Sequence, residues 1–398
     1  MKIIYHHRTM ARGAEGTHIR GIIGGMQKKQ LEVIVVAPPG VDSIHVDAGQ
    51  PVDKGNVRVS GIKKLWKFVS TKIPQWMFEL VEIFYNIYAF LLLSIECLKF
   101  KPAFIYERYA NFLLAGAIVS KLFKVPLLLE VNEVIGLPRA RGLVLTKIAL
   151  IVEKWVFKTS HHIYPVSSYL KDRITERIGQ PVENKIIVIP NAVNDQFLNY
   201  LEQKKVTKKK LFSENDIVVG FVGWFDHWDR LDILIEVVAQ VRQEMKNVVA
   251  LIIGDGPGRT ELQQEVGKKN LTDVIVFTGP IEKKDIFDYI DLIDIAFFPN
   301  SNVFGSPVAL FELMAFGTAI LCPKLMPFED VVIDGENGLL FTPLNTDEMV
   351  MKLKYLCANK KIIQKFGENN LAKVKKMHTW DKNVEQILKT VGILEGIK

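Results

Sequence analysis

The chain alternates short apolar segments with helical segments, and this alternation occurs twice. One series of strand-like segments begins with "MKIIYHH" and "LEVIVVAP" and ends with "NKIIVIPN". A second series begins with "IVVGFVGW" and "VVALIIGDG" and ends with "NGLLFTP". Continuous apolar strands that alternate with helices are typical of parallel sheets covered on both faces. The pattern therefore predicts an α/β chain with two doubly wound, Rossmann-like domains.

The length of 398 residues exceeds what a single hydrophobic core usually supports, which also favours two domains. A Lys-rich stretch at 194–216 separates the two series and predicts an exposed interdomain connection. The predicted boundaries are 1–195 for the first domain, 196–215 for the linker and 216–375 for the second domain. Residues 376–398 are predicted to form a helix that leaves the second domain and packs back on the first.

The net charge of +7 favours anionic partners, such as phosphate-bearing ligands or an anionic membrane surface. The three cysteines, Cys97, Cys322 and Cys357, lie far apart, which argues against a disulfide framework or a zinc site. The chain opens directly with strand-like residues, so no secretory signal peptide is expected. These features predict a cytoplasmic protein.

The segment 61–101 mixes lysines with aromatic residues and then becomes strongly apolar. Its apolar run, Ile83 to Ile95, is shorter than a bilayer-spanning helix requires. One interpretation is a buried helix with a basic exposed face. The other is peripheral docking on an anionic membrane through residues 61–78, and both can hold at once. The docking residues would be Lys63, Lys64, Lys67 and Lys72 with Trp66, Phe68 and Trp76.

Ligands of doubly wound sheets bind beyond the carboxyl ends of the strands, so the residues after each strand are the candidates. In the first series, Gly13 and Gly16 permit a tight turn before a helix, but the spacing is not that of a dinucleotide-binding G-x-G-x-x-G loop. Asn132 and Glu133 follow the strand "VPLLLEV". They either satisfy a loop or bind sugar hydroxyls or an acceptor.

In the second series, Gly223 ends the strand "FVG", and an aromatic and polar loop follows it. The stretch "NSNVFGSPVALFELMAFG" (300–317) predicts a helix that begins near Ser306 with Pro307 at its first position. The free N–H groups of such a helix end can hold a diphosphate. Glu312, one to two turns further, could bind the vicinal hydroxyls of a ribose. The alternative is an ordinary Ser-Pro helix start with Glu312 at its edge.

The order of these motifs resembles that of the family-four retaining glycosyltransferases, also described as glycosyl transferases group 1. The resemblance covers nearly the whole chain. It is carried by "RGAEGTHIRGI", "FVGWFDHWDRLDILIE", "LIIGDGPGRTEL", "GSPVALFELMAFGTAILCP" and "VIDGENGLLFTP". It implies the GT-B fold, in which an N-terminal acceptor-side domain and a C-terminal nucleotide-sugar-binding domain face each other across a cleft.

The resemblance further implies transfer of a sugar from a nucleoside-diphosphate sugar with retention of configuration, without a metal ion or other cofactor. Glu312 matches the second Glu of the family's E-x7-E motif, which binds the ribose. Asn132 and Glu133 would orient the sugar or the acceptor, and with Glu312 they form the predicted catalytic set. The other predicted donor-binding residues are Gly16, Gly223, Arg230, Pro280, Ile281, Gly305, Ser306, Pro307 and Val308.

Four positions depart from the family pattern. Phe304 stands where the first Glu of E-x7-E would contact the donor sugar, and Trp224 and Asp229 stand where the family has its phosphate-binding Arg and Lys. Arg230 and His227 are candidate replacements. Asn132 takes the place of the family's histidine. Since leaving-group stabilisation is usually the largest electrostatic contribution to such a transfer, these departures bear on activity but not on the fold.

The leading hypothesis is a retaining glycosyltransferase that acts on a saccharide or lipid-linked acceptor in cell-surface glycan synthesis, at the cytoplasmic face of the membrane. The alternative is a catalytically silent GT-B protein that supports an active transferase. A sugar-nucleotide epimerase is a third hypothesis, which the "SPVALFELMAFG" block disfavours. Nucleic acid is not an expected partner, because the basic residues do not interleave with aromatics along one groove-like face.

Overall fold

The structure is a computed structural model that describes residues 1–44, 74–138, 142–179, 185–202, 211–282 and 285–393. The chain divides into two compact units. The first comprises Met1–Pro190 and Val384–Lys398, and the second comprises Asn191–Asn383. Each unit has its own parallel sheet.

The sheet of the first unit has five strands in the order β2-β1-β3-β4-β5. All of its strand pairs are parallel, and every residue of β3 and β4 is buried, as expected for a sheet covered on both faces. The strands are β1 (Lys2–His6), β2 (Glu32–Val36), β3 (Ile105–Arg108), β4 (Leu127–Val131) and β5 (His162–Pro165).

The predicted sixth strand of the first series, "NKIIVIPN", is not a strand in the structure. It runs beside β5 and makes one isolated bridge, between Ile186 and Ile163. Its backbone donates two hydrogen bonds, from Ile187 to Ile163 and from Ile189 to Pro165. Because Pro165 has no N–H to return, the ladder does not extend further.

Five helices in the described part of the chain cover the first sheet. Crossover connections between parallel strands are right-handed, so the helix that leads toward β2 lies on one face and the helices that lead from β2 to β5 lie on the other. On that second face, α2 packs against α3, and α3 packs against α4. The helices are α1 (Gly13–Lys28), α2 (Gln75–Phe100), α3 (Ala115–Phe123), α4 (Thr146–Thr159) and α5 (Ser168–Ile178).

The sheet of the second unit has six parallel strands in the order β11-β10-β9-β6-β7-β8. Its central strand β6 is buried from Ile217 to Val222 and pairs with β7 along its whole length. The strands are β6 (Ile217–Trp224), β7 (Val248–Asp255), β8 (Ile275–Gly279), β9 (Ile295–Phe297), β10 (Ala319–Pro323) and β11 (Gly338–Phe341).

The described helices of the second unit lie before, between and after these strands. They are α6 (Asp195–Glu202), α7 (Leu231–Glu244), α8 (Arg259–Lys268), α9 (Ile286–Ile290), α10 (Val308–Ala315), α11 (Met326–Glu329), α12 (Thr346–Ala358), α13 (Lys360–Met377) and α14 (Trp380–Thr390). Helix α14 starts in the second unit and ends in the first. There the Thr390 hydroxyl lies 2.6 Å from the Tyr164 hydroxyl.

Helices α10 and α13 approach each other closely beside β10. The approach depends on Gly367, because an added Cβ there would overlap the backbone carbonyl of Gly317. Gly317 itself takes the left-handed conformation, with φ of 70°, at the turn that ends α10. Asn370 on α13 donates hydrogen bonds to the Thr318 and Asn337 carbonyls, both at 2.8 Å, and so fixes the same turn.

The predicted linker, 196–215, begins within helix α6, and its residues 203–210 lie outside the described part of the chain. The predicted end of the second domain at residue 375 falls within α13, two residues before the helix ends. Of the predicted membrane-docking stretch, 61–73 also lie outside the described residues.

Candidate functional site

The strand order of the second sheet reverses between β6 and β9, which are adjacent although other strands separate them in sequence. Ligands of doubly wound sheets bind at such a switch point, beyond the carboxyl ends of the two strands. The loops that leave β6 and β9 meet there, since the Asn300 side-chain amide donates a hydrogen bond to the Trp228 carbonyl at 2.9 Å. The structure therefore brings together the two loops that carry most of the predicted donor-binding residues.

The turn before α10 is held by its own side chains. Asn302 Oδ1 accepts the backbone N–H of Phe304 at 3.2 Å and that of Gly305 at 2.5 Å. Ser306 is fastened to Asn191, whose backbone N–H donates to the Ser306 hydroxyl and whose amide donates to the Ser306 carbonyl. The N–H group of Gly305, which was predicted to face a diphosphate, is thus already bonded to Asn302.

Helix α10 begins at Val308, one residue after Pro307, close to its predicted start. The first N–H groups of a helix have no intrahelical partner, so the groups of this turn that could hold an anion are the N–H groups of Val308 and Ala309. The helix buries Leu310 and Phe311 completely, while Val308, Ala309 and Glu312 are half-buried. Glu312 therefore lies one turn from the helix start on the same partly open face, where a carboxylate can bind a diol.

The loop after β6 places Arg230 in an ion pair. Its guanidinium donates two near-parallel hydrogen bonds to Asp232, at 2.9 Å from Nε and 2.7 Å from Nη2. This contact raises the pKa of Arg230 and lowers the pKa of Asp232. Arg230, predicted as a phosphate partner, is thus engaged with Asp232 through Nε and Nη2. His227 stacks at an angle on Trp228, with ring centroids 4.7 Å apart.

Asp229 occupies the position of the family's phosphate-binding Lys and has a structural role. Its carboxyl oxygen accepts the backbone N–H of Asp226 at 3.0 Å, and the two residues form a reciprocal capping box. Burial, assisted by the charge of Asp226, raises the pKa of Asp229 to about 7. Trp224, at the position of the family's Arg, is exposed.

Arg259, which the sequence analysis did not single out, lies near the predicted base-binding backbone. Its guanidinium packs on Gly279, where an added Cβ would lie 2.9 Å from Nη1, and it lies 3.7 Å from Asp255. Gly279 ends β8 with φ of 72°, and Pro280 and Ile281 follow it. The available signal was the turn "GDGPGR", whose last residue begins α8.

In the first unit, Glu130 is the centre of a buried polar cluster at the carboxyl end of β4. It accepts hydrogen bonds from Arg108, from the Tyr106 hydroxyl at 3.1 Å and from the Asn132 amide at 2.5 Å. His18 Nε2 lies 2.9 Å from Oε2 of the same carboxylate. Burial alone would raise the pKa of Glu130, but the charges of His18 and Arg108 and these hydrogen bonds lower it to about 2. We call these five residues the Glu130 cluster.

The Glu130 cluster fixes one predicted catalytic residue and connects it to α1. The sequence predicts a turn at Gly13 and Gly16 before this helix, but both residues lie within it. Asn132 is held against Glu130, while Glu133 lies half-buried on the same loop. His18 is on α1, two residues after Gly16, whose added Cβ would overlap the Ala11 carbonyl. The sequence alone does not single out His18, since one polar residue in an amphipathic helix carries no local signal of its distant partner.

A second buried pair lies beside the Glu130 cluster, where the first sheet has its own switch point between β1 and β3. His6 Nδ1 is 2.5 Å from the Glu107 carboxylate, and both side chains are fully buried. An added Cβ at Gly116 would overlap that carboxylate. The adjacent His7 has its pKa lowered to about 3 by burial and by the charges of His6 and Arg108.

The two switch points therefore differ in chemistry. The second unit offers a helix start and a half-buried carboxylate, which suit an anion and a diol. The first offers polar side chains that are paired with one another. Within the described residues, no group of three or more His, Cys, Asp or Glu side chains is arranged to hold a metal ion.

Comparison with known proteins matches both units. The family profile described as "Glycosyltransferase Family 4" covers residues 15–197, and the profile "Glycosyl transferases group 1" covers residues 202–373. An uncharacterized glycosyltransferase of Methanocaldococcus jannaschii is 23% identical over 239 residues, which is 60% of each chain. The O-antigen chain mannosyltransferase C of Escherichia coli is 23% identical over 207 residues, 51% of this chain and 53% of the enzyme. The chain thus aligns with less than two thirds of the length of either relative.

Among solved structures, that of HepE from Anabaena in complex with UDP superposes with a TM-score of 0.68 at 16% identity, covering 98% of this chain and 100% of HepE. This likeness confirms the predicted GT-B fold with two Rossmann-like domains. The two profiles together confirm the predicted family. The chain belongs to the family-four, group 1 glycosyltransferases.

Proposed function

We propose that this protein transfers a sugar from a nucleoside-diphosphate sugar to a saccharide or lipid-linked acceptor in the synthesis of a cell-surface glycan. The observation that carries the proposal is the meeting of the β6 and β9 loops at the switch point, with the start of α10 and Glu312 on one partly open face. The UDP complex of HepE and the O-antigen substrate class of the E. coli relative support it.

In the proposed complex, the diphosphate lies at the N-terminus of α10 and the ribose hydroxyls bind Glu312. The helix N–H groups stabilise the negative charge that develops on the diphosphate as the sugar departs. Transfer is proposed to retain configuration by front-face displacement. The bond from the anomeric carbon to the diphosphate oxygen breaks, the acceptor oxygen bonds to the same face of that carbon, and its proton passes to the departing diphosphate.

Asn132 and Glu133 are proposed to orient the sugar or the acceptor at the edge of the first sheet. The hydrogen bond from Asn132 to Glu130 supports this for Asn132, because a side chain that is already fixed loses less entropy on binding. We further propose a cytoplasmic enzyme that needs no metal ion or cofactor, as the family resemblance implies. Sugar transfer that persists in excess EDTA would support the proposal that no metal ion is needed. The anomeric configuration of the product, determined by NMR, would test the proposal that configuration is retained.

Isothermal titration of the full chain with UDP, GDP and dTDP tests the donor site. We expect one nucleotide to bind, and Glu312→Gln to weaken it roughly 10- to 100-fold, the effect of losing charge-assisted hydrogen bonds of about 1.5–3 kcal/mol. Glu368→Gln is the matched control, since Glu368 is exposed on α13. Folded protein that binds none of the three nucleotides would contradict the donor site.

The catalytically silent alternative makes a different prediction for the same protein. It is motivated by Trp224, Asp229 and Phe304 and by the engagement of Arg230 with Asp232. A silent protein would show neither transfer nor slow donor hydrolysis, even where the nucleotide binds. The relatives named as transferases favour the enzyme.

A further inference from the structure

Helix α2 turns an apolar face outward. All exposed residues of this helix are apolar except Lys99, and they recur at intervals of mostly three or four residues, which places them on one side. Phe84 and Ile87 are 63% and 60% exposed. The stripe is about 33 Å long at 1.5 Å per residue. It consists of Trp76, Met77, Leu80, Phe84, Ile87, Leu91, Ile95 and Leu98.

The opposite side of α2 carries two buried polar residues that anchor the helix to its own unit. Asn86 accepts the backbone N–H groups of Leu114 and Ala115 at 2.8 and 3.0 Å and donates to the Phe112 carbonyl. Glu79 accepts two backbone N–H groups at the start of α4, both at 2.7 Å. α2 is therefore held in place by buried polar side chains while its exposed face is apolar, which is unusual for a surface helix.

These inward contacts decide how α2 can meet a membrane. It is the one helix in the described part of the chain with the length and composition to cross a bilayer. Crossing would require the carboxylate of Glu79 and the amide of Asn86 to give up their partners and enter hydrocarbon, which is costly. A helix held by these bonds can instead lie along the membrane surface with its apolar stripe immersed.

The neighbouring helices continue the apolar surface and add only positive charge. Leu122 on α3 and Ile148 and Ile151 on α4 are exposed. Within α3 and α4, both described throughout, every exposed charged side chain is a lysine: Lys121, Lys147, Lys154 and Lys158. The only acid of these two helices, Glu153, is fully buried and bonded to Tyr109 and Arg177.

We propose that this surface, the α2 face, docks on an anionic membrane. The α2 face comprises the α2 stripe together with Leu122, Ile148, Ile151 and the four lysines of α3 and α4. Its apolar side chains enter the interface and its lysines meet anionic headgroups, which their long stems can reach. Charge complementarity selects this partner, because a neutral or cationic protein surface would leave the lysines unpaired. The proposal does not depend on the proposed sugar transfer.

Co-sedimentation of the full chain with vesicles tests the α2 face. We expect binding to phosphatidylcholine vesicles that contain 30% phosphatidylglycerol, weaker binding to phosphatidylcholine alone, and a fall of several-fold as salt rises from about 50 to 500 mM. The double variant Phe84→Asp/Ile87→Asp should lose at least tenfold in partitioning. Both side chains are largely exposed, so folding should persist. Met351→Asp is the control, since Met351 is also 60% exposed but lies on α12 of the second unit.

Several results would overturn the proposal. Equal binding to neutral and anionic vesicles, or binding unchanged in the double variant, would exclude this surface as the contact. Self-association without vesicles that the same substitutions abolish would show that a second copy covers it. Resistance of the membrane-bound chain to alkaline carbonate extraction would show that α2 crosses the bilayer. The double variant should bind nucleotide with the same affinity as the unmodified chain. This titration separates a failure of the membrane proposal from a failure of the donor-site proposal.

Discussion

Replacing Glu130 with glutamine should destabilise the first unit more than any single hydrogen bond accounts for. Glu130 is 1% exposed, and Arg108 and His18 lie against its two carboxylate oxygens. Glutamine keeps the shape but removes the negative charge. Its amide oxygen can still accept one or two hydrogen bonds, while its NH₂ group would face a donor. Arg108 would then remain buried without its counter-charge.

The magnitude follows from the pKa of Glu130, which falls from 4.5 to about 2 in the folded chain. That shift corresponds to roughly 3 kcal/mol of stability. It agrees with the cost of about 3–5 kcal/mol for removing one partner of a buried ion pair. Because the folded pKa is depressed, the contribution is complete above the unfolded pKa and is lost as the pH falls toward 2. The difference between the two proteins should therefore narrow to roughly 1 kcal/mol at pH 3.

Urea unfolding followed by far-ultraviolet circular dichroism at pH 7 and pH 3 would measure this difference. Since two units need not unfold together, amide hydrogen exchange in β4 should localise the loss. Glu176→Gln is the control, because Glu176 is 64% exposed and its pair with Arg173 should contribute less than about 1 kcal/mol. The electrostatic account would be refuted if Glu130→Gln lowered the free energy of unfolding at pH 7 by less than about 1 kcal/mol, or if the loss did not shrink at pH 3.

Two further predictions concern the second unit. Gly367→Ala should destabilise it by about 2 kcal/mol or more, because the added Cβ overlaps the Gly317 carbonyl, whereas Gly267→Ala in α8, with open space around it, should stabilise by about 0.5–1 kcal/mol. Thermal unfolding of both variants checks the contrast, and equal effects would contradict it. The raised pKa of Asp229, about 7, means that the fold favours the protonated acid and loses stability as the pH rises through 7. In urea unfolding at pH 8, Asp229→Asn should therefore have a free energy of unfolding at least about 1 kcal/mol above that of the unmodified chain. This difference should shrink toward pH 5, and an equal difference at both pH values would contradict the raised pKa.

The alternation of apolar strands predicted the sheets well because a parallel strand buried on both faces must be apolar throughout. Every predicted strand-like segment but one corresponds to one of the strands β1 to β11. The exception, "NKIIVIPN", fails for a reason that lies in its partner: the proline that ends β5 cannot donate to it. The sequence of a strand does not show whether its neighbour has the backbone N–H groups that pairing requires.

The candidate site was predicted less completely than the fold. The start of α10 was located within two residues, because Gly, Ser and Pro mark helix starts locally. No such local signal marks two of the contacts at this turn. Asn302 accepts the Gly305 N–H, and Ser306 contacts Asn191, which is 115 positions away in sequence. The Glu130 cluster was missed for the same reason, since it joins residues from α1, β3 and β4 that only the folded sheet brings together.

The two switch points favour a division of roles that follows from their charges. In the first unit, the Glu130 carboxylate is paired with Arg108 and His18, and Glu107 is paired with His6. Such an edge offers fixed polar groups with little free charge, which suits a neutral, hydroxyl-rich ligand more than a diphosphate. The second edge offers unpaired helix N–H groups beside a carboxylate, which suits an anion linked to a ribose. A nucleoside diphosphate alone should therefore protect amides at the start of α10 from hydrogen exchange, and protection of β4 in its place would reverse this assignment.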